Sequence, residues 1–428
     1  MFNFKLSKTM RDVQWSFISL ATSSLSHLLL RIVLGRELGP SGLGVYTLVF
    51  TIYIFGMQFA AFGIGSALTK YVAEFNDNLA KTKEYISSGM IGSLITGSVM
   101  GVVLYLLSNI ISISIFNIPE MVSLLKVTAL CFPFIAINKA VLGTLNGFRR
   151  MKAFAFIDVA LNVIILLVSV FLVIFLDMKV LGAVLGLVIP TIILGLISIF
   201  FVRSSLIYPN GTFLQNNILR DVLRFGLYVV LGNSIGYLYT HIDSLMIGYY
   251  LNEEDVGFYA VAAIFIQGIT LIPSAIQRVT SPTITKDHAK KEYGSIVKLL
   301  KNVTLKVFLL SSLFSLFLVV FGKTLILTIF DNMFLPSYLP LIILLIGYTI
   351  YSTFMSIGTF YSSIGYVELS YKIALFSAIL NIVFNIAFIP KYGIIGAAMA
   401  TSTSLIVLTL VHFFIIRHFV KGIWKLKI

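Results

Sequence analysis

The sequence predicts an all-α integral membrane protein with 12 transmembrane helices, arranged as two parallel six-helix repeats. Three observations support this fold class: the apolar composition, the length of the apolar segments, and an internal repeat. Of the 428 residues, 58% are hydrophobic and 11% are charged, whereas a soluble domain has about 25% charged residues. So little charge could not cover the surface of a soluble globule, and the composition therefore excludes a water-soluble enzyme.

The apolar segments have the length that a membrane-spanning helix requires. Most are about 17 to 25 residues long, and a helix needs roughly 20 residues to cross the hydrocarbon core. The basic residues Lys5, Lys8 and Arg11 precede the first span as in a signal peptide, but its length predicts a retained helix. We predict the spans at 13–33, 43–66, 86–107, 121–142, 154–176, 180–202, 222–243, 256–277, 302–322, 338–361, 370–390 and 392–416.

The distribution of Lys and Arg predicts the orientation of these spans. The net charge is +14, and 25 of the 31 basic residues fall on one side of the alternating loops, which includes loops 138–153 and 278–306. The positive-inside rule therefore predicts that both termini are cytoplasmic, in a multi-pass protein of the cytoplasmic (plasma) membrane. The basic residues are sparse and lie between apolar runs, so the sequence predicts no binding to nucleic acid.

An internal repeat relates the two halves of the chain. The segment Leu34–Tyr46 aligns with Ile247–Tyr259 at an offset of 213 residues, and Val180–Ala183 matches Ile394–Ala397 at 214, which is half of 428. An even number of helices in each repeat makes the repeats parallel and predicts a substrate site between them, as in alternating-access transporters. The predicted six-helix lobes are 1–210 and 211–428.

Polar residues of the first span lie on one helical face. Ser16, Ser19, Ser23, His27 and Arg31 are spaced by three or four residues, which is typical of one stripe along a helix. Such a stripe faces either a wet cavity or a neighbouring helix. We favour a cavity wall with Arg31 near the outer face. The alternatives are packing through the hydroxyl groups and an Arg31 side chain that extends to the membrane interface.

The seventh span is the repeat equivalent of the first and carries a similar stripe. Its polar residues are Asn233, Tyr237, Thr240 or His241, and Ser244. Two such stripes, one in each half, are what a central cavity between lobes requires. Asp243 lies at the predicted outer end of this span, where an exposed interfacial acid is the favoured interpretation.

Carboxylate and amide side chains in the fifth and eleventh spans are candidates for ion coupling. Asp158 and Asn162 are four residues apart, and Ser377, Asn381 and Asn385 repeat that spacing. Asp158 lies near the cytoplasmic end of its span, so solvation is the favoured interpretation. The alternative is that Asp158, Asn162 and Asn381 serve to couple H⁺ or Na⁺, because a carboxyl group buried in a membrane can exchange protons near neutral pH.

The sequence contains no pattern typical of a catalytic or metal site. The five histidines are scattered, and neither a Ser/His/Asp arrangement nor a metal-binding spacing of Cys and His occurs. The single cysteine, Cys131, lies in an apolar run and is predicted to be a small core residue. We predict a protein that is not an enzyme and uses no cofactor, and we expect a monomer.

Four motifs spread over nearly the whole chain resemble those of the polysaccharide-transporter (Wzx-type) flippases. They are Arg31–Tyr46, Phe62–Glu74, Asp243–Tyr259 and Pro390–Ala398. This family belongs to a superfamily that also holds multidrug/toxic-compound extruders and peptidoglycan-precursor flippases. The resemblance implies two six-helix bundles around a V-shaped cavity, and movement of a polyprenyl- or dolichyl-linked oligosaccharide from the inner to the outer leaflet. The peptidoglycan-precursor branch adds two C-terminal helices, so this chain departs from it, which argues against lipid II as the substrate.

The chemistry of such a substrate assigns roles to the polar residues. An anionic lipid-linked oligosaccharide carries phosphate and sugar groups that cannot cross hydrocarbon unaided. Arginine binds phosphate with two hydrogen bonds, so Arg31 and Arg36 are the predicted headgroup ligands. The predicted substrate-binding residues are Ser23, His27, Arg31, Arg36, Asn233, Tyr237 and His241. The alternatives are a cation-coupled multidrug exporter, a non-transporting membrane scaffold and a membrane glycosyltransferase.

Overall fold

The computed structural model of the protein describes residues 8–206 and 216–425, and within these ranges the regular structure is helical, without strands. The described residues form two compact units, divided in sequence between Tyr237 and Leu238. We call them unit 1 and unit 2. The lobe boundary predicted between residues 210 and 211 lies outside the described residues, so the predicted lobes stay a prediction.

Unit 1 begins with a long helix and continues through shorter ones. Two π-helical turns, Ile110–Ile115 and Phe171–Phe175, extend α3 and α6. The helix α8 begins in unit 1 and ends in unit 2. The helices are α1 (Lys8–Ala61), α2 (Ile64–Glu74), α3 (Leu79–Asn109), α4 (Met121–Ala129), α5 (Phe132–Gly147), α6 (Met151–Val170), α7 (Lys179–Ser198) and α8 (Asn216–Tyr250).

Unit 2 contains the remaining helices of the described chain. A short 3₁₀ segment, Asn332–Ser337, connects two of them. The helices are α9 (Glu253–Ala289), α10 (Tyr293–Ile329), α11 (Tyr338–Met355), α12 (Phe360–Ser363) and α13 (Val367–Lys425).

The prediction of a multi-pass membrane protein is confirmed. By length and composition, the described residues hold 8 helices that could cross a membrane, or up to 9 if the bent pair α4 and α5 is one span. Helices α1 and α13 have 54 and 59 residues, which corresponds to roughly 80 and 90 Å at the helical rise. Each is more than twice the hydrocarbon thickness of about 30 Å, so each is long enough for two spans. The total of 12 spans stays a prediction.

A single glycine interrupts the helical backbone of α1 and of α13. Gly39 has φ 67° and ψ −173°, and Gly393 has φ 61° and ψ −140°. Glycine adopts a positive φ without the steric cost that a Cβ atom adds. Gly39 lies between the first two predicted spans, and Gly393 lies at the predicted start of the twelfth span. Both glycines therefore fall where the sequence predicts the chain to leave one span for the next.

The matched segments of the internal repeat share local backbone features. Lys179 and Gly393 correspond in the alignment, and their φ angles are 48° and 61°. Gly182 and Gly396 also correspond. A Cβ atom on Gly182 would lie 3.0 Å from the carbonyl carbon of Leu172, and one on Gly396 would lie 2.2 Å from the carbonyl oxygen of Phe388. In both segments a glycine therefore lets the helix approach the end of the preceding one.

Small residues bring α2 and α5 into backbone contact within unit 1. A Cβ atom on Gly143 would lie 2.0 Å from the carbonyl oxygen of Gly65, and one on Gly65 would lie 2.6 Å from the carbonyl oxygen of Lys139. The Thr69 hydroxyl also donates to the carbonyl oxygen of Gly143 at 2.9 Å. Such close approach through small residues is a common mode of helix association in membranes, and it fixes where the α5 side chains lie.

We predict that Gly143→Ala destabilises the protein. The new methyl group would overlap the Gly65 carbonyl and separate α2 from α5, at a cost of about 1–3 kcal/mol. Gly232→Ala in α8 is the matched control, because a Cβ atom there meets nothing within 4 Å and alanine favours a helix by roughly 1 kcal/mol. Thermal unfolding in detergent measures both. Equal unfolding temperatures for the two variants would contradict the contact.

Candidate functional site

A polar pocket of about 320 Å³ lies within unit 1. Residues of α1, α2, α5, α6 and α8 line it. Its polar lining consists of several hydroxyl and amide groups, one amine and one carboxylate. The outer faces of these helices are apolar. The polar lining residues are Gln58, Ser66, Thr69, Lys139, Asn146, Asp158, Asn233 and Tyr237.

Asp158 lies in the wall of this pocket and is half-buried. Its carboxylate accepts a hydrogen bond from the hydroxyl of Ser19 in α1. The amide of Asn162, one turn later in α6, donates to the backbone carbonyl of Asp158 at 2.8 Å. The favoured interpretation of Asp158 as a solvated residue at a helix end is therefore too simple, since the side chain connects α6 with α1.

Lys139 supplies the positive charge of the pocket. Lys139 belongs both to the predicted span 121–142 and to the predicted loop 138–153, and α5, which continues to Gly147, places it inside a helix. The ion pairs of Arg149 with Asp12 and of Lys372 with Glu368 involve neither Lys139 nor Asp158. Lys139 and Asp158 are therefore not paired with each other, and the pocket presents one separate charge of each sign.

The other predicted residues of the first span form a distinct group along α1. The His27 Nδ1 atom lies 2.8 Å from the carbonyl oxygen of Ser23. The Arg31 guanidinium lies 5.8 Å from the ring centre of Phe50, which in turn stacks on Tyr46. Arg31 therefore has an aromatic neighbour, and a cation held in this way is attracted by the ring.

The predicted substrate residues are thus distributed over several places. Asn233 and Tyr237 line the unit 1 pocket. Ser23, His27 and Arg31 form the group on α1 and are half-buried, and Arg36 is exposed one turn later. His241 belongs to unit 2. The structure adds Lys139, Asn146 and Thr69 as pocket residues. The sequence could have indicated Lys139, because a lysine within a predicted apolar span is a candidate functional residue.

Unit 2 contains a buried carboxylate cluster around Asp243. The carboxylate accepts hydrogen bonds from the Tyr259 hydroxyl at 2.6 Å, the Asn385 amide at 2.7 Å and the Thr401 hydroxyl at 2.5 Å. The Asn381 amide donates to Thr401 at 3.0 Å, and the Asn385 amide also lies 3.1 Å from the Asn381 oxygen. We call these five residues the Asp243 cluster.

The favoured interpretation of Asp243 as an exposed interfacial acid is wrong. Its side chain is 7% exposed, because α9 and both parts of α13 supply hydrogen-bond donors to it. The Asn385 Oδ1 atom is buried without a hydrogen-bond partner. The cluster therefore combines a carboxylate and an unsatisfied oxygen, both of which could ligate a small cation, since hard cations prefer oxygen ligands. The described residues contain no group of three or more His, Cys, Asp or Glu side chains that could hold a metal ion.

These features define a helical, multi-pass membrane protein with a polar pocket in one unit and a buried carboxylate cluster in the other. The chain belongs to the polysaccharide biosynthesis protein family, whose model matches residues 9–288. The predicted resemblance is therefore confirmed. The MatE family model matches residues 229–387.

Curated relatives agree with this assignment, and solved structures share the fold. The chain is 24% identical to a putative O-antigen transporter of Shigella flexneri over 87% of this chain and 89% of the relative. It is 26% identical to a probable low-salt glycan biosynthesis flippase, Agl15, of Haloferax volcanii over 47% of this chain and 43% of the relative. The fold resembles that of the lipid II flippase MurJ in its inward closed conformation, with a TM-score of 0.78 and 18% identity over 95% of this chain and 87% of the other.

We predict that the unit 1 pocket is accessible to water. In a Cys131→Ala background, which removes the one native and buried cysteine, Asn233→Cys should react with a charged maleimide in native membranes. Maleimides react with the thiolate, which requires water.

The matched control is Leu313→Cys, an exposed position (67%) in the apolar middle of α10. It should stay unlabelled because it faces hydrocarbon. No labelling at position 233 in a folded protein would contradict the prediction that water enters the pocket.

Proposed function

We propose that this protein is a flippase that moves a polyprenyl- or dolichyl-phosphate-linked oligosaccharide across the cytoplasmic membrane by alternating access. The observation that carries the proposal is a polar pocket of about 320 Å³ with one lysine inside an apolar helical bundle, in a chain of the polysaccharide biosynthesis protein family. The transporter and flippase relatives support the same substrate class. Cell-surface polysaccharide or glycan export is the process that this transport would serve.

The pocket chemistry fits a sugar headgroup. Amide and hydroxyl groups of Asn146, Asn233 and Thr69 can donate to and accept from sugar hydroxyl groups, and so replace part of the hydration lost inside the membrane. A pocket of about 320 Å³ holds a part of an oligosaccharide rather than the whole.

The phosphate requires a cation, and the chain offers three candidates. Lys139 lies in the pocket, Arg31 lies beside Phe50, and Arg36 is exposed on the same helix as Arg31. An arginine can hold phosphate with two parallel hydrogen bonds, and a lysine acts as a point charge. We assign Arg31 and Lys139 to the anionic group and retain Arg36, Ser23, His27, Tyr237 and His241 as proposed substrate contacts.

The proposed mechanism uses 12 spans in two parallel repeats with cytoplasmic termini. The Gly39 and Gly393 interruptions support a division of α1 and α13 into two spans each, and the shared backbone features at Lys179 and Gly393 support the repeat. Parallel repeats of this kind are typical of transporters in which two halves expose a site to alternate sides. We propose that the protein acts as a monomer without a cofactor.

We further propose that the Asp243 cluster couples transport to H⁺ or Na⁺. Its three hydrogen bonds come from neutral groups, and these stabilise but do not cancel a charge in an apolar interior. A bound proton or sodium ion would cancel it. Of the three coupling residues predicted from the sequence, Asn381 belongs to this cluster, whereas Asp158 and Asn162 lie in unit 1. Helix α8 carries both Asn233 and Asp243, and so provides a covalent link between the pocket and the cluster.

A cation-coupled multidrug exporter is the second candidate function. The MatE family match over residues 229–387 and the buried carboxylate of Asp243 favour it. An exporter of cationic drugs needs acidic residues at its substrate site, and the unit 1 pocket balances Asp158 with Lys139. This balance favours the flippase.

We predict that Arg31→Ala and Lys139→Gln each reduce glycan export by about tenfold or more, because a hydrogen bond to a charged group contributes roughly 1.5–3 kcal/mol. Export is measured by surface glycan in a host that lacks its own flippase, at protein levels matched by immunoblot. Lys323→Gln, an exposed lysine of α10 outside the pocket, is the control.

Unchanged export in both variants would remove these residues from the mechanism. Drug resistance conferred on a pump-deficient host, in the absence of any glycan export, would instead establish the exporter.

We predict that Na⁺ raises the thermal unfolding temperature of the purified protein and that Asp243→Asn abolishes this effect. A ligand that binds only the folded state at ten times its Kd adds about 1.4 kcal/mol of stability. Asp158→Asn makes the same substitution in unit 1 and should leave the effect of Na⁺ on the unfolding temperature unchanged. A choline salt in place of the sodium salt is the control for ionic strength.

If acidification rather than Na⁺ stabilises the wild type through Asp243, the coupling ion is H⁺. A response to neither ion, or one lost through Asp158→Asn alone, would contradict the assignment to the Asp243 cluster.

A further inference from the structure

A second cavity of unit 1, about 630 Å³ in volume, gathers basic residues from two distant parts of the sequence. One part is the start of α1, and the other is the turn between α5 and α6 with the first turn of α6. The charged lining residues are Lys8, Arg11, Asp12, Arg149, Arg150 and Lys152. We call this the basic cavity. The positive-inside rule explains why these segments are basic, but it does not require the residues to surround one cavity.

The charge of the basic cavity is largely uncompensated. Asp12 is the one acid in its described lining, and its carboxylate accepts two hydrogen bonds from Arg149, at 2.7 and 3.1 Å. Among the described residues, Lys8, Arg11, Arg150 and Lys152 have no carboxylate within ion-pair distance. Helix α6 also begins here, at Met151, without a side-chain cap. The uncapped N–H groups of a helix N-terminus add to the attraction for an anion.

The rest of the lining is apolar, which decides what kind of anion fits. Trp15, Met151, Ala153, Phe156 and Phe201 form this wall, and the Phe156 side chain is 64% exposed. A free phosphate would contact the basic residues and leave the aromatic wall uncovered. A molecule with an anionic headgroup and a hydrocarbon chain would cover both.

We infer that the basic cavity binds an anionic membrane phospholipid. Arg11, Arg150 and Lys152 contact the phosphate, and one hydrocarbon chain packs along Phe156 and Phe201. Basic clusters at the ends of membrane helices attract anionic headgroups with about a fivefold gain in affinity for each Lys or Arg. This site shares no lining residue with the polar pocket, and its occupancy does not depend on the proposed transport function. A bound lipid would join the start of α1 to the turn between α5 and α6.

Trp15 makes the inference testable in the intact protein. The chain contains 2 tryptophans, Trp15 and Trp424, so Trp424→Phe leaves a single fluorophore in the wall of the basic cavity. The full-length variant is reconstituted into phosphatidylcholine vesicles with a small fraction of phosphatidylglycerol or phosphatidylcholine that carries bromine on its acyl chains. Bromine quenches tryptophan on contact. We expect much stronger quenching by the brominated phosphatidylglycerol at equal mole fraction, and we expect high salt to remove this preference because it screens exposed charges.

Charge variants identify the residues that produce the preference. Arg11→Gln combined with Arg150→Gln should reduce the relative affinity for phosphatidylglycerol by roughly 25-fold, given about fivefold for each residue. Lys290→Gln combined with Lys291→Gln removes the same charge from exposed residues outside the cavity and should leave the preference unchanged. Monodisperse elution in detergent checks that each variant folds. The salt dependence of the unaltered cavity tests the inference independently of folding.

Three results would overturn the inference. The first is equal quenching of Trp15 by the two brominated lipids. The second is an equal loss of preference in both double variants, which would reflect net charge alone. The third is recovery of Trp15 fluorescence by unlabelled polyprenyl diphosphate but not by unlabelled phosphatidylglycerol, which would assign the basic cavity to a carrier lipid.

Discussion

A polar group placed in hydrocarbon without a partner costs several kcal/mol, and this constraint decides where the polar side chains of the chain lie. Many satisfy it locally. Thr47, Thr144 and Thr191 each donate to the carbonyl oxygen four residues earlier in their own helix. Asp243 cannot do so, and it collects donors from two other helices instead. Eleven described residues are exceptions and keep a buried side-chain polar atom without a partner, among them the amides of Asn138 and Asn385. Asn385 belongs to the Asp243 cluster, so one unsatisfied oxygen lies beside the buried carboxylate.

The sequence predicted the helical membrane class and the turns because both depend on local properties. Apolar length identifies a span without any knowledge of its neighbours, and Gly39 and Gly393 lie where a positive φ is needed. The spacing of Asn381 and Asn385 likewise predicted that they share a face. The pocket around Lys139 and the burial of Asp243 were not predicted, because both depend on residues of other helices. A periodic pattern gives the face of a helix but does not identify the helix that packs against it.

Each unit connects two helices through a buried or half-buried carboxylate. In unit 1 Asp158 of α6 accepts from Ser19 of α1, and in unit 2 Asp243 of α8 accepts from Asn385 of α13. In terms of the predicted repeat, each pair joins the first and fifth spans of its half. The acid of unit 1 lies on the fifth span of its half, whereas the acid of unit 2 lies on the first span of its half. The two units therefore differ in where they place their acid. Asp158 of unit 1 lines a pocket, whereas Asp243 of unit 2 is buried.

The central claim is that the protein transfers a polar, lipid-linked headgroup across the membrane. The most direct test reconstitutes the purified protein into vesicles with a polyprenyl diphosphate oligosaccharide that carries a fluorophore on its sugar, and adds an impermeant reductant that destroys fluorescence outside. Without protein, the reductant should remove the signal of the outer leaflet alone. With wild-type protein, the inner-leaflet signal should also decay, and Lys139→Gln should slow that decay. An inner-leaflet signal that stays protected in the presence of correctly folded wild-type protein would contradict the account.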